Sequence, residues 1–437
     1  MPNIEYTINK DFLPAHSKDL PSDPERAGAL FMSIDILPEE TDESVGATPN
    51  VVLLIDTSGS MMSEGKIDVA KDAAKHFIEE VGLIDNLSVM TFSEACSIVC
   101  RGNKKKEDAE EKGVTDKLLD INVSNESKEE MLDRIEDITA RGGTALYDAL
   151  DYAMEEIEAS AIPEDERVDK IILLSDGTPT VGKSDLEDFE GIAQKYSDND
   201  ISIICGGIGA DYSEDILIAL AENSRKGRWR HLKDNSDITA LFETEANRIN
   251  QTTMIKPDLK LSMVKGFELG DIYQAEPEVS EFKDIRIEDG SYILPLGDVI
   301  MGEKQTYVAQ LFYPNRPPGE FRMAQLEMPS DIHKDIIVTY TDDESVYKGE
   351  SDNKPRHQFL TTRASLEGRD VIDGDESKKD TVVRMATEVI SESSDEELIN
   401  RATQIKDTIL EKDTVVLSEE EKKEKKGSLS TTVILED

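Results

Sequence analysis

One short segment of the sequence constrains the fold more than any other. Residues 51–55, VVLLI, are an uninterrupted apolar run of the kind that forms a strand buried in a parallel sheet. The run ends in DTSGS, residues 56–60, and an amphipathic helical pattern follows from about Glu64 to Val81. A strand, a tight polar turn and a helix in succession predict an α/β domain, and open α/β sheets keep their ligand sites at the carboxyl ends of such strands.

The turn carries oxygen atoms suited to a hard cation. Asp56, Ser58 and Ser60, with the spacing D-x-S-x-S, supply one carboxylate and two hydroxyls. Mg²⁺ takes oxygen ligands in an octahedron and usually retains several waters. Ser, Thr and Asp are also favoured at helix N-termini, so the turn on its own fits a helix cap as well as a metal site.

Two further segments decide between these interpretations. ARGGTALYDAL places Thr144 after a Gly-Gly turn at the start of a helix, and KIILLSDGTPTVG is a second apolar strand that ends in Asp176-Gly177. Together the three segments, over roughly residues 48–250, resemble the von Willebrand factor type A domain of prokaryotic-type proteins, with its metal-ion-dependent adhesion site.

The resemblance implies both a ligand set and a mode of binding. The family's metal ligands carry over to Asp56, Ser58, Ser60, Thr144 and Asp176, with no departure at any position. The implied ion is Mg²⁺, with Mn²⁺ or Ca²⁺ as alternatives. The implied partner is a protein that donates an Asp or Glu carboxylate to the ion.

The pattern along the chain predicts the domain organisation. Strands alternate with helices over residues 48–251, which predicts a doubly wound, mostly parallel, Rossmann-like sheet. Short alternating strands from about Pro257 to Tyr340 predict an antiparallel β-sandwich, and residues 28–37 have the same texture. We therefore predict one β-sandwich split into residues 1–47 and 252–345, with the α/β domain inserted into it, similar to the hybrid-domain layout of integrins.

The C-terminal part has a different texture. Helical periodicity over residues 376–412 predicts a helical hairpin, with Ser394 and Glu397 as a capping box between its helices. Residues 413–437 are charged and weakly apolar, which predicts a disordered tail.

Composition excludes several classes of partner. A formal net charge of −45 argues against binding of nucleic acid or anionic lipid. No stretch approaches the ~20 apolar residues of a membrane span, and residues 1–20 lack the features of a secretion signal. The three cysteines are typical of buried small hydrophobes in a reducing compartment. These features predict a cytoplasmic protein.

The sequence favours a binding module over an enzyme. No histidine lies next to the metal motifs, where it could act as a general base. We expect a non-catalytic, metal-dependent protein–protein interaction module that acts as an adaptor or scaffold. The alternatives are a co-subunit of a AAA+ ATPase machine of the chelatase type and a surface adhesin.

Overall fold

The computed structural model describes residues 2–15, 27–38, 48–81, 86–102, 128–209, 212–282, 285–349, 351–411 and 419–430. They form two compact units. One comprises Met1–Asp42 and Lys256–Asp437 and is called the sandwich unit; the other, Glu43–Ile255, is called the α/β unit. Residues 39–47, which end the first part of the predicted sandwich, lie outside the described residues.

The strands are numbered in chain order. They are β1 (Asn3–Ile8), β2 (Phe12–Pro14), β3 (Gly28–Leu37), β4 (Thr48–Asp56), β5 (Leu87–Phe92), β6 (Cys96–Arg101), β7 (Arg167–Ser175), β8 (Ser202–Ile208), β9 (Arg228–Leu232), β10 (Thr252–Met254), β11 (Asp258–Met263), β12 (Glu268–Glu276), β13 (Ser280–Glu281), β14 (Arg286–Glu288), β15 (Ser291–Pro295), β16 (Val299–Ile300), β17 (Gln305–Tyr313), β18 (Gly319–Met328) and β19 (Ile332–Thr341).

The α-helices are numbered in the same way. They are α1 (Lys66–Val81), α2 (Lys128–Glu136), α3 (Leu146–Glu158), α4 (Leu186–Asp198), α5 (Glu214–Asn223), α6 (Asn235–Asn250), α7 (Glu344–Tyr347), α8 (Lys354–Asp373), α9 (Lys379–Glu392), α10 (Glu396–Glu411) and α11 (Glu419–Ser430). Short 3₁₀ segments cover Gly59–Gly65, Glu164–Glu166 and Glu376–Lys378.

The α/β unit is built on a sheet with helices on both faces. Its strand order is β6-β5-β4-β7-β8-β9, and every neighbouring pair is parallel except β5 and β6. Val51, Leu53 and Ile55 of β4 pack with α1, α2 and α6, whereas Val52 and Leu54 pack with α3, α4 and α5. Burial on both faces explains why residues 51–55 of β4 are apolar at every position rather than at alternate ones.

The order of the strands determines where a ligand can bind. The chain passes from β4 to β5 on one side, and β7 lies on the other side of β4. Such a reversal of strand order opens a crevice at the carboxyl ends of the two central strands. Asp56 and Asp176 stand at the ends of β4 and β7, beside this crevice.

The sandwich unit contains two antiparallel sheets, apart from one parallel pair, β2 with β19. Their orders are β1-β3-β17-β12-β13 and β14-β15-β11-β18-β19-β2. β3, from the N-terminal segment, pairs on one side with β1 and on the other with β17. Between the sheets, the rings of Tyr313 and Tyr340 meet edge to face at 6.3 Å. The predicted fold class, an α/β domain inserted in a β-sandwich, is confirmed.

The C-terminal helices are more numerous than predicted. α9 and α10 pack as the expected hairpin, but the long α8 precedes them, and its Phe359 packs against Phe31 and Tyr273 of the first sheet. The predicted cap is also displaced by one residue. Asp395, rather than Ser394, accepts hydrogen bonds from the backbone N–H groups of residues 397 and 398.

The expectation of a disordered tail differs from the structure. Residues 419–430 form α11, which packs on α8. Leu429 is fully buried, and Arg401 donates hydrogen bonds to the carbonyl oxygens of Ser428 and Leu429. These contacts come from residues far away in sequence, so the local charged composition did not reveal them. Residue 412 of the predicted hairpin and residues 413–418 and 431–437 of the predicted tail lie outside the described residues.

Cys96, Cys100 and Cys205 are buried and not joined in disulfides, as predicted, and burial raises the pKa of the Cys96 thiol to about 12. Within the described residues, no helix combines the length and apolar character needed to cross a membrane.

Candidate metal site

The five predicted ligand residues lie on three pieces of chain at one edge of the parallel sheet. Asp56 ends β4, Ser58 lies in the turn that follows, and Ser60 is the second residue of the 3₁₀ segment. Asp176 directly follows β7, and Thr144 lies two residues before α3. Because β4 and β7 are parallel neighbours, their carboxyl ends meet and bring the two carboxylates to the same place.

A continuous chain of hydrogen bonds joins four of the five residues. The backbone N–H of Ser58 donates to Oδ1 of Asp56 at 2.7 Å. The Ser58 and Ser60 hydroxyls are 2.9 Å apart, and the Ser60 hydroxyl donates to Oδ1 of Asp176 at 2.6 Å. The structure therefore brings the residues of the first loop and the later strand into one polar cluster.

Thr144 joins the same cluster across a small space that Gly177 leaves open. A methyl group placed on Gly177 would lie 3.3 Å from Oγ1 of Thr144, 3.7 Å from Oγ of Ser60 and 3.9 Å from Oδ2 of Asp56. Oxygen atoms from two loops, that of Asp56 and Ser60 and that of Thr144, thus lie around one point beside Gly177 of the third loop. Two carboxylates and three hydroxyls are hard donors of the kind that Mg²⁺, Mn²⁺ and Ca²⁺ accept, so the residues fit the implied ion.

This donor set differs from the commoner metal centres of proteins. The described residues contain no group of three or more His, Cys, Asp or Glu side chains arranged to hold an ion. A site here depends on hydroxyl oxygens in addition to its two carboxylates.

Backbone hydrogen bonds fix the first loop relative to its neighbours. The N–H of Thr57 donates to the carbonyl of Phe92 at 2.8 Å, and the N–H of Arg141 donates to the carbonyl of Thr57 at 2.6 Å. The N–H of Gly59 donates to the carbonyl of Gly142 at 3.0 Å. The position of the ligand side chains is therefore set by main chain rather than by flexible side chains.

The loop that carries Thr144 is held by the segment after Asp176. The N–H of Thr144 donates to Oγ1 of Thr180 at 2.9 Å, and the N–H of Thr180 donates to the carbonyl of Thr144 at 3.0 Å. A Cβ on Gly143 would approach Oγ1 of Thr180 to 2.8 Å. Glycine at position 143 is what permits this close contact between the two loops.

The electrostatics of the site favour a cation. Asp56 is fully buried, and burial raises the pKa of its carboxyl to about 6. Hydrogen bonds from Ser175 and Ser58 act in the opposite direction, and the nearby charge of Asp176 raises the pKa further. A buried carboxyl with a raised pKa is an incompletely compensated anion, which a bound divalent ion would stabilise.

Sequence reasoning did not identify three residues that contact the predicted ligands. Ser175 donates from Oγ to Oδ2 of Asp56 at 2.7 Å, and Thr180 supports Thr144. Lys66, the first residue of α1, places Nζ 2.9 Å from Oδ2 of Asp176. Lys66 did carry a signal, because a positive charge is unfavourable at a helix N-terminus unless a nearby anion compensates it.

Comparisons with known sequences agree with this arrangement. The family model for the von Willebrand factor type A domain matches residues 50–244. The Escherichia coli protein YfbK, itself uncharacterized, is 21% identical over 220 residues, which are 50% of this chain and 34% of YfbK. The Bos taurus inter-alpha-trypsin inhibitor heavy chain H4 is 29% identical over 201 residues, 45% of this chain and 20% of that protein. The chain thus spans about a third of YfbK and a fifth of the heavy chain.

Solved structures resemble the chain over nearly its whole length. A von Willebrand factor type A protein from Catenulispora acidiphila has a TM-score of 0.70 at 17% identity, with 99% of this chain and 97% of that chain covered. The ArnB paralog VWA2 from Sulfolobus acidocaldarius has a TM-score of 0.56 at 18% identity, with 99% of each chain covered. At these identities the likeness concerns the fold. The family match and the shared fold identify residues 50–244 of this chain as a von Willebrand factor type A domain.

Proposed function

We propose that this chain is a metal-dependent protein-binding module that acts as an adaptor or scaffold and is not an enzyme. One observation carries the proposal: oxygen atoms of Thr144, Ser60 and Asp56 surround the space beside Gly177 at the carboxyl ends of two central strands. This is where open α/β sheets bind ligands.

The ion we propose is Mg²⁺, with Mn²⁺ or Ca²⁺ as substitutes. Asp56, Ser58 and Ser60 would hold it directly, and Thr144 and Asp176 directly or through water. When bound, the ion supplies a positive centre that can accept one further oxygen ligand from outside the protein. The protein contributes a rigid, partly buried set of donors whose positions are fixed by main-chain hydrogen bonds.

The partner we propose is a protein that presents an Asp or Glu carboxylate. Carboxylate oxygens are hard ligands of the class that these ions prefer, and their negative charge completes the neutralisation of the ion. Specificity for one partner would then come from the exposed residues around the site, because a carboxylate alone is common to all proteins.

Calorimetric titration tests the metal site. Mg²⁺ and Mn²⁺ should each bind once to the unaltered protein, and Asp56→Ala should abolish binding because it removes a charged ligand. Asp72→Ala is the control, since Asp72 also follows the motif in sequence but its side chain is 80% exposed on α1. Unchanged binding in Asp56→Ala would refute the ligand assignment.

Affinity capture tests the partner. The unaltered protein should retain a partner in Mg²⁺ and release it in EDTA, and Asp56→Ala should not retain it. Replacement of acidic residues in that partner should then identify one carboxylate whose loss abolishes binding. A retained AAA+ ATPase would assign the role of ATPase co-subunit instead of an independent adaptor. Retention that survives both EDTA and Asp56→Ala would show that the partner uses another surface.

A further inference from the structure

Lys66 is positively charged and directly contacts the carboxylate of Asp176, one of the proposed metal ligands. Its Nζ lies 2.9 Å from Oδ2 of Asp176, and the two side chains are 13% and 0% exposed. A methyl group on Gly209, just beyond the end of β8, would lie 3.6 Å from the same Nζ. The ammonium group therefore occupies a narrow position between the ends of β7 and β8.

The position of Lys66 is energetically unfavourable for a positive charge. It is the first residue of α1, where the helix dipole disfavours a positive charge, and its head group is largely removed from water. The carboxylate of Asp176 compensates this cost. The same carboxylate is proposed to serve the ion, so Lys66 and the ion share one anionic group.

We infer that Lys66 sets the net charge of the loaded metal site. With Lys66 present, the site binds an anionic ligand more tightly, and the metal ion less tightly, than it would without this residue. The inference rests on the proposed function. Two carboxylates and one ammonium leave one net negative charge before the ion binds, and a divalent ion turns this into one net positive charge. A single partner carboxylate neutralises that charge.

A site without Lys66 would behave differently in both respects. Two carboxylates alone would neutralise a divalent ion, which would bind more tightly because no ammonium repels it. The loaded site would then have no excess positive charge to attract a partner carboxylate. Loss of Lys66 should therefore change the two affinities in opposite directions, which a general disturbance of the fold would not do.

The experiment measures both affinities in the full chain with defined probes. Mn²⁺ is titrated while its free signal is followed by electron paramagnetic resonance. Trifluoroacetate then serves as the carboxylate, and its ¹⁹F relaxation by bound Mn²⁺ reports its binding. Lys66→Met should bind Mn²⁺ about tenfold more tightly and trifluoroacetate about tenfold more weakly. Lys66→Arg should retain both original affinities.

Lys75→Met is the matched control. Lys75 lies on the same helix, about 13 Å further along its axis, and is also ion-paired, with Glu136. Both affinities should stay unchanged. Lys66→Gln replaces the methionine variant if thermal unfolding in EDTA shows that the latter is not folded.

The outcomes separate this inference from the proposed function. Absence of Mn²⁺ binding in the unaltered protein would overturn the proposed metal site itself. Normal Mn²⁺ binding in the unaltered protein, with both affinities unchanged or both weakened in the Lys66 variants, would overturn the role of Lys66 alone.

Discussion

The hydroxyl of Ser175 donates a hydrogen bond to Oδ2 of Asp56 at 2.7 Å, although the two residues are 119 positions apart in the chain. They meet because β4 and β7 are parallel neighbours and both end at this point. The bond favours the charged form of Asp56, yet burial outweighs it and raises the pKa of the carboxyl to about 6. The site therefore maintains an acidic group where its charged form is destabilised.

Asp56→Asn should stabilise the α/β unit near neutral pH in the presence of EDTA. The pKa of Asp56 is about 6 in the folded protein and 3.8 ordinarily, so the folded state is stabilised by the protonated form of this carboxyl. That stabilisation is fully present below pH 3.8 and is lost as the pH rises through about 6. The difference corresponds to about 3 kcal/mol at pH 7. Urea unfolding at several pH values should show a gain of roughly 1–3 kcal/mol at pH 7.5 that disappears toward pH 4. An asparagine variant that is less stable at every pH would contradict this account.

Metal affinity should depend on pH through the same carboxyl. Because the ion requires the deprotonated form, calorimetry should show affinity that falls about tenfold per pH unit below pH 6 and levels off above it. Ser175→Ala removes a hydrogen bond to the charged form, which should raise the pKa of Asp56 and move this midpoint to higher pH. A midpoint that stays in place would show that Ser175 does not tune the site.

The local parts of the fold were predictable from sequence because their signals are local. The apolar run Val51–Ile55, the D-x-S-x-S turn and the later strand that ends at Asp176 each carry their own pattern. The strand Gly28–Leu37 was predicted from alternation alone, since only one of its faces had to be apolar over most of its length. Ordered placement of these signals was enough to predict the fold class.

The features that sequence did not reveal depend on contacts between distant residues. α11 is polar by composition and is held by Arg401 and by burial of Leu429 against other helices. Ser175 and Thr180 are common residue types, and only the meeting of strand ends gives them a role. Lys66 could have been questioned as a cation at a helix start, but its partner Asp176 is 110 positions away.

Gly177→Ala should weaken metal binding while the fold stays intact. Gly177 does not have a positive φ, so alanine fits the backbone, but its methyl group would enter the space among the ligand oxygens and lie 3.3 Å from Oγ1 of Thr144. We expect a loss of about tenfold or more in Mn²⁺ affinity by calorimetry. Gly191→Ala is the control, because a methyl there meets no atom within 4 Å and lies on α4. Equal affinities in the two variants would mean that the ion does not bind beside Gly177.

Met62→Ser should weaken partner binding without affecting the ion. Met62 lies in the 3₁₀ segment with Ser60 and is 67% exposed, so it offers apolar surface next to the site. Loss of this surface should lower partner affinity about threefold to tenfold, measured by titration with the captured partner. Ile287→Ser is a matched control, since Ile287 is 70% exposed in the sandwich unit. Equal effects of the two substitutions would indicate that Met62 does not contact the partner.

The last prediction concerns the split of the sandwich unit around the inserted domain. β3 lies between β1 and β17, from Gly28 opposite Tyr313 to Ile36 opposite Gln305, so it is an interior strand of its sheet. A fragment that begins at Val51 and ends at Asp437 would lose β1, β2 and β3 and leave β17 as an open edge, which is an aggregation hazard. It should aggregate or lose the unfolding transition of the sandwich unit in calorimetry. A fragment of residues 48–251 should fold alone, because all six strands of the mostly parallel sheet and the helices on both its faces lie within it. If the longer fragment stays monomeric with both transitions intact, residues 1–45 are not part of the sandwich and the proposed domain boundaries are wrong.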